Sequence, residues 1–134
     1  MNTHRRFKSR WLQIITCSLL LFSCTKEEKV SKQDYPKVAT QQVTNINYTG
    51  ATFHGSFLQA GNSEIIDHGF IFSAIDPPVL GNIEKISLGA SSGRGSFTAT
   101  ANSGLVAGKT YYVCAYAQNR NKIYYALSVS FVSK

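Results

Sequence analysis

The chain has 134 residues and a formal net charge of +7, a balance that by itself would favour a polyanionic partner such as nucleic acid. Four of its fourteen basic residues crowd the first ten positions, and from residue 24 onward ten Lys/Arg face seven Asp/Glu, a net of +3. Those ten are scattered and form no stripe interleaved with aromatics, which argues against nucleic acid, and three cysteines without paired spacing argue against a disulfide scaffold.

Arg5, Arg6, Lys8 and Arg10 open a basic region, and the apolar run from Trp11 to Phe22 follows. That run is twelve residues long, short of the ~20 a spanning helix needs. A basic start, a short apolar middle and a small residue before the cut describe a secretory signal over residues 1–23. An uncleaved membrane anchor is the alternative that its length disfavours. Leu21-Phe22-Ser23-Cys24 resembles the lipobox of bacterial lipoproteins. The resemblance implies cleavage before Cys24 and acylation of its thiol by palmitate-type chains. It also implies an outer-membrane protein held by lipid, since two or more chains anchor stably where one does not. Phe22 is bulkier than the usual residue at its position; an ordinary cleaved signal is the plainer alternative. Cleavage also removes Cys17 and Trp11, which leaves Cys114 without an internal disulfide partner and the mature chain without tryptophan.

Residues 24–37 hold the acylated cysteine and a tether. Seven of the thirteen positions from Thr25 to Lys37 are charged, too polar to order themselves. Lys26-Glu27-Glu28 resembles the surface-export signal of Bacteroidetes-type lipoproteins, which implies display towards the cell exterior. The periplasmic face is the alternative.

Residues 38–134 read as short alternating strands. Val38–Ile46 opens the series. Ala51, Phe53, Gly55 and Phe57 alternate with polar residues, the pattern of a half-buried strand. Ile65–Ser73 is apolar enough for a central strand and stops at Asp76-Pro77-Pro78. Glu84–Leu88 is a short edge strand, 89–95 a turn, and Ser96–Ala101 a further strand. Thr110–Gln118 and Lys122–Val132 form a closing hairpin. Seven strands with regular turns predict an all-β, immunoglobulin-like sandwich. Leu105 and Tyr111, six apart, together with Tyr112-Val113-Cys114-Ala115-Tyr116-Ala117, resemble the corner and following strand of fibronectin type III domains. The resemblance implies a tyrosine corner in which the Tyr111 hydroxyl bonds back to the loop near Leu105. Ala107 stands where that corner usually has proline, and Phe53 and Phe57 replace a core tryptophan.

Catalytic signals are sparse. No nucleophile elbow, phosphate loop or Cys-x-x-Cys pair occurs. His54 and His68 fall on strands of opposite sheets, so no metal site or cofactor is expected. Glu64 and Asp67 read as solvated loop charges. Alternation on Thr110–Gln118 points Tyr111, Val113, Ala115 and Ala117 inward, and Tyr112, Cys114 and Tyr116 outward. Tyr124 is expected to join Tyr112 and Tyr116 in an exposed row, with Leu127, Val129 and Phe131 inward. Such a row, supported by Arg120 at the hairpin tip, could bind a glycan or a protein; cross-strand packing is the structural alternative. The expectation is a surface-anchored binding module without catalysis. A structural subunit pairing through its edge strands is the alternative, and a hydrolytic enzyme a remote third.

Overall fold

The computed structural model describes residues 34–134; the leader, Cys24 and the tether through residue 33 lie outside the described residues. Nine strands follow in order: β1 (Lys37–Thr40), β2 (Thr44–Asn47), β3 (Gly50–Gln59), β4 (Ile65–Ser73), β5 (Glu84–Ser91), β6 (Ser96–Ala101), β7 (Thr110–Gln118), β8 (Ile123–Tyr125) and β9 (Val129–Val132). A single 3-10 turn, Pro78–Leu80, follows the prolines, and no α-helix occurs among the described residues. All pairings are antiparallel. In one sheet β3 is flanked by β6 and by β1 and β2; in the other β5 pairs with β4, β4 with β7, and β7 with β8 and β9. The protein is an all-β sandwich.

Nine strands reduce to the seven expected because two are interrupted. Between Thr40 and Thr44 four steps oppose three on β3, from Gly55 to Thr52, and the Gln41 amide still donates to the His54 carbonyl at 2.8 Å. Between Tyr125 and Val129 four steps again oppose three on β7, from Tyr116 to Val113. Each break inserts one residue, and one residue exchanges the faces of everything beyond it.

The core lies between the sheets and centres on Phe53, fully buried on β3. Its ring lies 5.7 Å from Phe70, 5.2 Å from Phe72 and 5.6 Å from Phe131. Burying such a ring contributes roughly 1.5–3 kcal/mol. Tyr111, Val113, Ala115 and Ala117 supply the β7 side of this core, as alternation predicts.

Several boundaries differ from the sequence reading. β5 runs to Ser91 and passes through Gly89, which adopts φ 82°; glycine takes this left-handed conformation without a Cβ penalty and so need not end the strand. Residues 34–37, assigned to the tether by their charge, are folded against the domain. Pro36 is fully buried, Tyr35 stacks on Tyr124 at 5.5 Å, and Asp34 accepts from the Asn62 amide. Composition averages hid these apolar anchors among charged neighbours.

The sandwich has two poles. Asp34 lies with the loops 60–64, 92–95 and 119–122, tied by Asp34–Asn62 and by Arg120–Glu64 at 3.3 Å. Turn 48–49 and loops 74–83 and 102–109 lie at the opposite pole, where Ala51 pairs Ala101 and Ile75 shares a pocket with Val106. The ten residues of β3 set their separation at about 30 Å.

Candidate functional site

The outer face of the β5-β4-β7-β8 sheet is where the exposed tyrosine row was expected. Tyr116 does point away from the core, yet it is fully buried. Ile71, Cys114 and Ile123 pack around it, Lys85 Nζ sits 4.7 Å from its ring centre, and the Tyr125 ring lies beside it at 6.5 Å. The alternation was right and the inference of exposure was wrong: β5 and β8 bring long side chains over a face that a single strand would leave bare. Tyr112 is half-buried and pairs with serines on both sides, Ser73 and Ser130. Tyr124 is on the other face altogether. It opposes the inward Ala117, while its neighbour Tyr125 opposes Tyr116. Counting back from the inward Phe131 and Val129 fails because the extra residue between β8 and β9 reverses the phase. The same break expels Leu127, expected in the core, to 90% exposure.

Asp67 organises this outer face. Its Oδ1 accepts from the His68 amide (3.0 Å), the Gly89 amide (3.0 Å) and the Ser87 hydroxyl (2.5 Å). Its Oδ2 accepts from the Tyr116 hydroxyl at 2.7 Å and faces Lys85 Nζ at 3.3 Å. Asp67 is therefore a shared acceptor at the β4–β5–β7 junction and not a solvated loop charge. Burial alone would raise its carboxyl, but Ser87, Tyr116, Gly89 and Lys85 together hold it below its ordinary value. Burial first, and the Asp67 carboxylate second, push the Tyr116 phenol up. A phenol that holds its proton this firmly, with its acceptor saturated by donors, is a structural strut and a poor acid or base. Cys114 beside it is also buried; desolvation first, and the charge of Asp76 second, push its thiol up to about 12.

The other predicted residues do not converge. His54 lies on the outer face of β3, its Nε2 sharing a 2.6 Å hydrogen bond with Thr44 Oγ1. His68 is buried between Phe57 and Phe97 and donates from Nδ1 to the Gly89 carbonyl at 2.7 Å. No cluster of three or more His, Cys, Asp or Glu able to hold a metal occurs among the described residues. Arg120 is exposed and pairs only loosely with the exposed Glu64. The Tyr111 hydroxyl accepts from the Val106 amide at 2.9 Å, with Leu105 packed on the core below.

Two apolar surfaces are open instead. At the pole away from Asp34, Tyr48 (86% exposed), Leu80 (72%), Ile75, Ile83 and Val106 protrude from three neighbouring loops. Ile75 and Val106 also line a pocket of ≈ 500 Å³, together with Phe72, Tyr111, Glu84 and Lys109. The second is a groove of ≈ 570 Å³ between the start of β1 and β8, with Tyr35, Lys37, Leu58, Lys122, Tyr125 and Leu127 on its walls. Sequence reasoning missed both. Leu58 did carry a signal, because it falls on the outward phase of β3 beside His54 and Ser56. Leu80 and Val106 carried none, since a loop apolar residue reads the same whether it folds back or stands out.

No protein-family model matches the chain, and no curated protein matches its sequence.

Proposed function

We propose that this protein is a lipid-anchored, non-catalytic interaction module of a bacterial outer membrane, displayed outward, that binds a protein partner through the loops farthest from its anchor. The observation that carries the reading is the cluster of exposed apolar side chains on loops 74–83 and 102–109 and turn 48–49. Scattered exposed apolar residues are ordinary, but here five stand on the loops of one pole, two of them on the wall of the same pocket, which suits a contact surface. Its pocket sets one acidic and one basic residue, Glu84 and Lys109, beside an apolar floor, a pattern suited to an apolar anchor side chain with a polar rim. A glycan is less favoured, because the expected tyrosine platform does not form: Tyr116 is buried and Tyr124 lies on the other face of the sheet.

The lipid anchor rests on the lipobox resemblance, and the absence of catalysis on how the titratable groups are used. Asp67, Tyr116 and His68 each have structural partners, and His54 stands on the other sheet. Pairing through edge strands is weaker than loop recognition. The β5 edge carries Lys85 and irregular register beside Gly69 and Gly89, devices that discourage strand addition.

The test is photocrosslinking on intact cells. A photoreactive residue at Leu80 or Val106 should give one dominant adduct that is missing when it is placed at the exposed Thr98 on β6. The same diffuse pattern from all three positions would remove the loop surface from consideration.

A further inference from the structure

We infer that the groove beside β8 lies on an anionic lipid surface, so that the domain reclines on the membrane holding its anchor and turns its opposite pole outward. This rests on the lipid-anchored reading above and adds an orientation that it does not contain.

Position is the first argument. Tyr35, Pro36 and Lys37 form one wall of the groove, and the described chain begins beside it at Asp34. Ten peptide steps separate Asp34 from Cys24. Whatever path they take, they span at most ~35 Å, about the length of the domain itself. An acylated Cys24 therefore keeps Asp34 and the groove beside it within ~35 Å of the bilayer.

Chemistry is the second. Leu127 and Leu58 (90% and 67% exposed) and the half-open Tyr125 project at the groove, and none of the three belongs to the core. Leu127 is placed there by the extra residue between β8 and β9, which turns a core-phase leucine out into solvent. Leucine with tyrosine is the composition that settles at the boundary between headgroups and acyl chains. Charge agrees. The lining includes Lys37 and Lys122 and no acidic residue, whereas the pocket at the far pole contains Glu84. Lys122 Nζ sits 5.6 Å from the Tyr124 ring centre, a long stem over an aromatic with its ammonium at the rim, where a phosphate would meet it. A protein partner would also cover apolar side chains, but the membrane is the surface that an acylated Cys24 holds within reach of this groove.

The test uses the acylated protein in vesicles of phosphatidylethanolamine and phosphatidylglycerol. The mature chain has no tryptophan, so Leu127→Trp and, at the opposite pole, Ser103→Trp each introduce one reporter at an exposed position. Brominated phospholipid should quench and blue-shift Leu127→Trp while leaving Ser103→Trp unchanged. Replacing phosphatidylglycerol by phosphatidylcholine should weaken the effect. Unquenched emission from Leu127→Trp, or equal quenching of both reporters, would overturn the proposal; in the first case the groove becomes available to a protein partner. The mass of the wild-type protein separates the two readings. A free Cys24 thiol removes the anchor and this orientation together, whereas acylated Cys24 with an unquenched Leu127→Trp removes the orientation alone.

Discussion

Replacing Tyr116 with phenylalanine deletes one oxygen from the outer face of the larger sheet, and the structure fixes what that oxygen does. It donates to Asp67 Oδ2 at 2.7 Å from a site without solvent. Hydrogen bonds to charged groups contribute about 1.5–3 kcal/mol. Lys85 Nζ, 3.3 Å from the same oxygen, remains to compensate, which places Tyr116→Phe near ~1.5–2 kcal/mol. Asp67→Ala does more damage. It strips the acceptor from the Ser87 hydroxyl and from the Gly89 and His68 amides, and it leaves the buried Tyr116 hydroxyl with Ser87 alone. Lys85 can turn to water and Ser87 to Tyr116, but the Gly89 and His68 amides lose their carboxylate acceptor, so the expected loss is ~3 kcal/mol. The double variant should be little worse than Asp67→Ala, giving a coupling of ~1.5 kcal/mol. Urea unfolding followed by far-UV circular dichroism measures all three variants, with unchanged denaturant slopes as the control. For a domain of this size the Tyr116→Phe loss corresponds to roughly 10 °C in melting temperature. Losses that add within ~0.3–0.5 kcal/mol would show that the two residues do not act as a pair and would refute the reasoning. The pH dependence has a fixed sign. Asp67 is held below its ordinary value of 3.8, so its contribution is complete above that value and is lost as pH falls through the lower folded one. Asp67→Asn should flatten this acid limb, and an unchanged limb would assign it to other carboxylates.

Gly69→Ala should be far more damaging than Gly89→Ala. A Cβ on Gly69 would meet the Ile86 carbonyl oxygen at 2.0 Å with φ at 153°, whereas one on Gly89 meets nothing within 4 Å. We expect failure to fold or a loss above ~4 kcal/mol for the first and ~1–2 kcal/mol for the second, measured by the same unfolding titration. Cys114, with its thiol pushed up to about 12, should resist alkylation at pH 8 in the folded protein and react readily in urea; rapid native labelling would contradict its burial. Tyr111→Phe should lower stability by ~1 kcal/mol and speed amide exchange at Val106, whose amide loses its 2.9 Å acceptor.

Local alternation carried much of the fold. β3 shows one apolar phase over most of its ten residues, and period two counted from Tyr111 assigns the faces of β7 although both of them are buried. It failed where a strand breaks. One extra residue between Tyr125 and Val129 leaves no mark in composition, yet it moved Tyr124 inward and Leu127 outward. Exposure was also illegible for Tyr116, because what covers it comes from β5 and β8, far away in sequence. The Asp67 junction was hidden for the same reason: its donors Ser87 and Gly89 lie about twenty residues away and Tyr116 forty-nine. The surface features now favoured for function, loop apolar side chains and a groove at a strand break, are of this non-local kind.

Mass spectrometry of the protein purified from its membrane reaches the central claim most directly. The account predicts an N-terminal peptide that starts at Cys24 and carries the added mass of acyl chains, with no peptide from residues 1–23. A free thiol on Cys24, or a peptide map beginning at Met1, would contradict it.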